Sequence, residues 1–173
     1  MILNRQRTVR VARRPLQLFL RRLQEHLGLG AADVTICLVS DAEIARMNEV
    51  FRKKKGPTDV LSFPAGPRPK PVGLPRLARK TPRASAVRQR TVLATPKNDA
   101  RASAAADSEF LGDIAIAPAT ARRNAKELGR TLPNELQILI LHGVLHLLGY
   151  DHETDRGQMN RFEQRLRRRL GLA

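Results

Sequence analysis

From Leu136 to Leu148 the chain carries Leu136, Ile138, Leu139, Ile140, Leu141, Val144, Leu145, Leu147 and Leu148, which together point in nearly every direction around a helix. A helix with no wet face must be buried, so the rest of the chain has to wrap around it. The polar interruptions near its end are His142 and His146. Four residues apart, they project from one face, one turn above the other. An imidazole in such a place is costly unless it is hydrogen-bonded or ligated. Gly149 is suited to the left-handed turn that ends a helix, and His152 follows on the returning segment. Three imidazoles converging on one point hold a catalytic zinc, one per chain, and leave the fourth position to water. The plainer alternative is a buried helix whose histidines make core hydrogen bonds. That suits one histidine better than three around a glycine turn.

The spacing from His146 through Gly149 to His152 matches the second half of the metzincin protease pattern. The first half fails, because a zinc protease needs Glu directly after its first histidine as general base, and Gly143 stands there. The ligand geometry is kept while peptide cleavage is disfavoured. A three-histidine site still acidifies water and polarises a carbonyl or phosphoryl oxygen. Net charge decides between those substrates. Thirty-two Lys and Arg against sixteen Asp and Glu give +16, with a pI near 11.5, which points to a polyanion, nucleic acid before membrane.

The remaining chain reads in order. Met1 to Val11 alternates short apolar residues with Arg and predicts an edge strand. Pro15 to Leu27 predicts a helix with Leu16, Phe19, Leu20, Leu23 and Leu27 inward, ended by Gly28; His26 belongs on its surface near the last carbonyls. Val34 to Val39, β-branched and almost wholly apolar, predicts a central strand. Cys37, the single cysteine, reads as a core residue rather than a nucleophile. Ser40 and Glu43 form a capping box for a helix with Ile44, Met47 and Phe51 on its inner stripe and Arg46, Asn48 and Glu49 off it. Arg52, Lys53, Lys54 and Lys55 then precede the Gly56-Pro57 turn and a strand from Val60 to Phe63. Such a run is either a solvated face or, held on a loop at a sheet edge, a phosphate-binding segment.

Residues 65–108 change character. Rich in Pro, Ala and Arg, the stretch from Pro64 to Ser108 holds ten Lys and Arg against two Asp and Glu, half of the net charge. It reads as a disordered basic insertion, either inert or suited to electrostatic capture of RNA. Phe110 to Ala117 predicts a strand, Pro118 to Leu128 a helix, Pro133 the start of the apolar helix, and Thr154 the cap of a last helix with Met159, Phe162, Leu166 and Leu170 inward. No stretch resembles a signal peptide or a membrane span, so the expectation is a soluble cytoplasmic protein without membrane contact.

The run His142-Gly-Val-Leu-His146-Leu-Leu-Gly149-Tyr-Asp151-His152 resembles the signature of the YbeY family, bacterial endoribonucleases that mature ribosomal RNA. Asn48 to Pro64, with its Pro-Thr-Asp-Val-Leu-Ser-Phe-Pro run, and Leu111-Gly-Asp-Ile resemble the same family. The long insertion departs from it. The resemblance implies a single catalytic domain over 1–173, interrupted at 65–108, of α+β class. A small mixed sheet would pack with helices around the buried helix that carries the histidines. It implies one zinc on His142, His146 and His152 and cleavage of single-stranded RNA in maturation and quality control of the small ribosomal subunit, with ribosome-assembly proteins as further partners. Arg52, at the family's functional arginine position, would contact RNA phosphate, which its planar fork suits, with Lys53, Lys54 and Lys55 beside it. Asp113 and Asp151 match acidic positions; Asp151 would either steady an imidazole from behind or cap a helix. Two other readings stand beside this one: a ribosome-assembly RNA-binding factor with a structural zinc, and a metal hydrolase of small substrates that is not a protease.

Overall fold

Helix α4, Leu132–Leu147, is the axis of the protein. In this computed structural model, which describes residues 1–30, 32–66, 110–152 and 155–172, it runs through the main core with Ile140, Leu141, Val144 and Leu145 fully buried. Around it the order is β1 (Ile2–Asn4), α1 (Arg13–Leu27), β2 (Asp33–Leu38), α2 (Asp41–Arg52), β3 (Val60–Pro64), β4 (Phe110–Ile116), α3 (Pro118–Glu127), α4 and α5 (Gln158–Leu170). Four strands make a mixed sheet in the order β1-β2-β4-β3. β1 and β4 run parallel to β2, and β3 lies antiparallel to β4 with Ser62 opposite Ile114. The fold is the α+β arrangement expected, a small mixed sheet with helices around the histidine-bearing one.

The two sheet faces are unequally covered. Val34, Ile36, Leu38, Ile114 and Ile116 meet residues of α1, α3, α4 and α5 in one large aliphatic core. On the opposite face Leu61, Ala115 and Ala117 meet Val39 and Ile44 in a small second cluster under α2. β2 therefore alternates buried and half-buried residues instead of being buried on both faces as its composition suggests. Cys37 sits on the thin side, half-buried, where burial pushes its thiol up and keeps it protonated.

Helix α4 lies very close to the sheet. A Cβ on Gly143 would come within 2.8 Å and 2.9 Å of Ile114 Cγ2 and Cδ1, and real Cβ atoms do not approach so closely. Gly143 is thus the point of contact between helix and strand. Ser62 adds a polar tie there, its hydroxyl donating to the Gly143 carbonyl at 3.3 Å.

Several element ends differ from expectation for local reasons. The first strand stops at Asn4 because Gln6, 5% exposed, closes a turn: its Nε2 donates to the Val9 carbonyl at 2.8 Å and its Oε1 accepts from Val9 N at 2.9 Å. α1 begins at Arg13, with Pro15 inside a first turn whose amides have no partner within the helix, so its missing N–H breaks no helical bond. α4 begins one residue before Pro133, capped by Thr131, whose hydroxyl accepts from Asn134 N. Ser40 and Glu43 form the full capping box, and those bonds from the Ser40 backbone and hydroxyl hold the Glu43 carboxyl below its usual range. On α2 Asn48 is buried, its side chain donating to the Gly56 carbonyl at 3.0 Å, whereas Phe51 is 65% exposed. Thr154, and the 65–108 segment apart from its first two residues, lie outside the described residues. The N-cap of α5 is Gly157, and the Asp155 carboxylate accepts from Gln158 N at 2.9 Å and Met159 N at 2.7 Å in its first turn. Among the described residues no helix is long and apolar enough to cross a membrane.

Candidate metal centre

The last turns of α4 bring the histidines together. Gly149, at φ +86°, turns the chain in a Schellman arrangement: Gly149 N donates to the His146 carbonyl at 3.0 Å and Tyr150 N to the Leu145 carbonyl at 3.1 Å. Tyr150, buried, anchors the return against Phe162 of α5, ring centroids 5.5 Å apart. His152 then faces the helix. One ligand atom from each of His142, His146 and His152 lies within 4.8 Å of the other two, and His142 Nε2 is 3.1 Å from His146 Nε2. Nitrogens bound at 2.0–2.1 Å around a tetrahedral zinc sit about 3.3 Å apart, so the set fits a metal ion with small adjustment of the exposed His152. His142 and His146 are half-buried.

A fourth residue, which sequence reasoning missed, fixes the donor chemistry. Glu163 of α5, 6% exposed, lies 3.0 Å from His142 Nδ1 through Oε2. Its Oε1 accepts from Arg167, at 3.1 Å from Nε and also from the second guanidinium nitrogen. Burial alone would raise this carboxyl, but the hydrogen bond and charge of His142, with the charge of Arg167, outweigh it and hold it below the usual range. An ionised carboxylate only accepts, so His142 Nδ1 carries a proton and donates to it; in the neutral tautomer that this bond selects, Nε2 is the lone pair that faces the other imidazoles. His146 is pushed down to about 4, by burial first and then by the nearby His142 and His152. It therefore stays neutral, as a metal ligand must. Without a metal, one of the two Nε2 atoms can donate to the other across this 3.1 Å contact, and with both as lone pairs they can share a cation.

The histidines form one wall of a cleft of about 360 Å3, lined also by Phe51, Arg52, Thr58, Asp59, Val60, Leu61, Ser62, Phe63 and Asp151. It straddles β3, the edge strand, so α2 on one side of the sheet and α4 on the other both reach it. Arg52 is thereby brought to the histidines from ninety residues away. It is the last residue of α2, and Lys53 behind it, at φ +57°, is the one non-glycine residue with positive φ among those described. That left-handed step costs about 1–2 kcal/mol and turns Lys53, Lys54 and Lys55 out of the helix. All three are exposed and do not line the cleft. Asp151 lines it and its charge acts on His146. Asp113 is exposed on β4, out of register with Ile114 and so on the thin face, and is not among the cleft residues. His26 is distant, with Nδ1 2.8 Å from the Arg22 carbonyl one turn back.

The polar floor of the cleft was also unread in the sequence. Asp59 holds the loop before β3: one oxygen accepts from Val60 N at 2.9 Å and the other from the Asn124 amide of α3 at 3.1 Å. Thr58 donates to it at 3.3 Å. The signal for it is the Pro-Thr-Asp-Val-Leu-Ser-Phe-Pro run at positions 57–64.

The family model described as endoribonuclease YbeY matches residues 1–171. A Solibacter usitatus protein named Endoribonuclease YbeY is 40% identical over 161 residues, covering 92% of this chain and 81% of that one. Its namesake in Koribacter versatilis is 36% identical over 172 residues, covering 99% and 86%. A solution structure of a Thermotoga maritima protein matches with a TM-score of 0.55 at 24% identity, over 98% of this chain and 89% of that one, a likeness of fold. By sequence over nearly its whole length, this chain belongs to the endoribonuclease YbeY family.

Proposed function

We propose that the protein is a zinc-dependent endoribonuclease that cuts single-stranded regions of ribosomal RNA, acting in the cytoplasm in maturation and quality control of the small ribosomal subunit. The observation that carries this reading is the meeting of three imidazole ligand atoms with Arg52 in one cleft. His142, His146 and His152 would hold the ion, one per chain. When bound, zinc supplies Lewis acidity to the phosphoryl group and makes water more acidic. Glu163 keeps His142 in the ligating tautomer. The Arg52 guanidinium grips the non-bridging phosphate oxygens and balances charge that builds on them. Asp151, which lines the cleft and whose charge acts on His146, would take the proton from the attacking water; Asp113, exposed and outside the cleft, would not. Lys53, Lys54 and Lys55 continue the path of positive charge along the RNA backbone, and the basic 65–108 segment adds non-specific attraction within a single catalytic domain over 1–173.

A structural zinc would call for a fourth protein ligand. Cys37, the single cysteine, lies on the opposite sheet face, which weighs against a purely RNA-binding assembly factor. The test joins metal analysis to a cleavage assay on an unpaired ribosomal RNA precursor. The expected result is about one zinc per chain, with both metal and cleavage lost in His146→Ala and cleavage but not metal lost in Arg52→Ala. Full cleavage by metal-free protein would overturn the mechanism. Turnover of a small phosphodiester uninhibited by RNA would favour a hydrolase of small substrates.

A further inference from the structure

We infer that Phe51, braced by Phe63, is a stacking shelf for one unpaired nucleobase beside the phosphate held by Arg52. This rests on the endoribonuclease reading and adds to it the part of the substrate that reading leaves unaddressed, the base.

The chain has five Phe, one Tyr and no Trp. Phe19, Phe162 and Tyr150 are buried. Phe51 is 65% exposed, and its periodicity in α2 would have turned it inward. A single exposed apolar residue is ordinary, so exposure alone says nothing. The surroundings decide. Phe51 lies on the wall of the cleft that holds the histidines, directly before Arg52 in the same helix end. Phe63, seated against the small second core cluster, meets it edge to face, with ring centroids 5.0 Å apart and planes at 73°. The contact fixes the ring and leaves most of it open to the cleft.

The chemistry around it fits one kind of occupant. Arg52 and the three lysines after it call for phosphate, and a flat apolar surface next to a phosphate grip calls for the base attached to that phosphate. Every nucleobase has a π-face, so stacking on an aromatic ring tolerates sequence variation. A base in a duplex has both faces covered by neighbours, whereas bases of loops and ends can be splayed out and stacked on protein aromatics. A cleft of about 360 Å3, near the lower end of ligand sites at roughly 300–1,000 Å3, suits a nucleotide unit and not a double helix. The shelf thus gives a physical basis for preferring unpaired RNA without preferring a sequence. The neighbouring Val50, also exposed at 59%, lies outside the cleft.

The test is an abasic scan of a fluorescent single-stranded RNA oligonucleotide, with binding read by anisotropy on the zinc-loaded protein and cleavage recorded in parallel. The wild type should show one position where removing the base weakens binding about tenfold, within the roughly 5- to 150-fold expected of one stacked base. Phe51→Ala should weaken binding of the intact oligonucleotide by a similar factor and lose nothing further at that one position. Phe51→Trp should restore binding and its sensitivity to the abasic site. Phe51→Leu keeps packing against Phe63 without the π-face, and its expected failure to restore binding separates stacking from packing. The proposal is overturned if the Phe51→Ala and abasic losses multiply, if no position is sensitive, or if Phe51→Ala binds like wild type. A Phe51→Ala loss equal on intact and fully abasic chains would mean that the residue touches something other than a base. Absence of cleavage by the wild type, with the binding pattern intact, would instead count against the endoribonuclease reading and leave the shelf standing.

Discussion

Replacing Glu163 by Gln keeps the shape of the side chain and removes its charge, which isolates what that charge does. In the wild type the carboxylate is 6% exposed, lies 3.0 Å from His142 Nδ1 and accepts from Arg167 Nε at 3.1 Å. A fully buried ion pair broken on one side costs roughly 3–5 kcal/mol. The Arg167 side chain, however, is 26% exposed and can turn partly to water, and Gln still accepts one hydrogen bond. The loss in the metal-free protein is therefore nearer the worth of one charge-assisted hydrogen bond, about 2 kcal/mol, readable in urea unfolding. The loss of zinc affinity is a separate quantity. Removing a partner that orients a ligand costs 10–100-fold in affinity, or about 1.4–2.7 kcal/mol, readable by competition with a chromogenic chelator. Arg167→Met is the control: it should lower stability while zinc affinity falls less, because the carboxylate still accepts from His142. Unchanged zinc affinity in Glu163→Gln, alongside lost stability, would refute the reasoning and reduce Glu163 to a structural ion pair.

Three further outcomes follow from the geometry. Gly143→Ala should destabilise the protein by about 1–3 kcal/mol, the cost of overpacking a tight core, because the new methyl meets Ile114, which is fully buried; a neutral substitution in thermal unfolding would show that the helix can lift freely. His146 titrates at about 4 in the metal-free fold against 6.5 for a free imidazole, so between those values the unfolded chain binds the extra proton. Metal-free stability should be level above pH 6.5, decline by up to about 3 kcal/mol as pH falls toward 4, and lose that dependence in His146→Leu; stability that rises on acidification over this window would contradict the assignment. Deleting residues 66–106 should leave zinc content and melting temperature intact and weaken RNA binding mainly at low salt, with a shallower dependence of log Kd on log salt; insoluble protein would show that the segment belongs to the core.

The histidine helix was legible because its signal is local. An all-apolar surface needs no knowledge of partners, and residues four apart share a face whatever surrounds them. Ser40 with Glu43 and the Gly149 turn were readable for the same reason. What sequence could not give is the direction in which a half-apolar element faces. Phe51 lies on the stripe with Ile44 and Met47, but α2 covers only the thin side of the sheet, and the stripe runs past its edge into the cleft. Asn48 looked like a surface residue and is buried because the Gly56 carbonyl needs a donor. Glu163 with Arg167 reads as an ordinary surface pair at i and i+4, and only the packing of α5 beside α4 reveals that the pair stands behind His142. Asp113 and Asp151 could not be ranked from sequence, since the sheet itself separates them.

The contact between Gly143 and Ile114 also bears on which reactions this scaffold can acquire. A peptide-cleaving zincin needs a glutamate at position 143, and among the neighbours of the ligands that is the position turned into the sheet. Introducing the glutamate alone drives a charged side chain into Ile114. Shrinking Ile114 alone opens a cavity beneath the metal helix, a loss of roughly 2–5 kcal/mol if it becomes Ala. Each step is expected to be harmful without the other, so the two substitutions should couple. The close approach of one helix to one strand thus puts a packing barrier between this site and a protease's, even though its three histidines are spaced as a protease would space them.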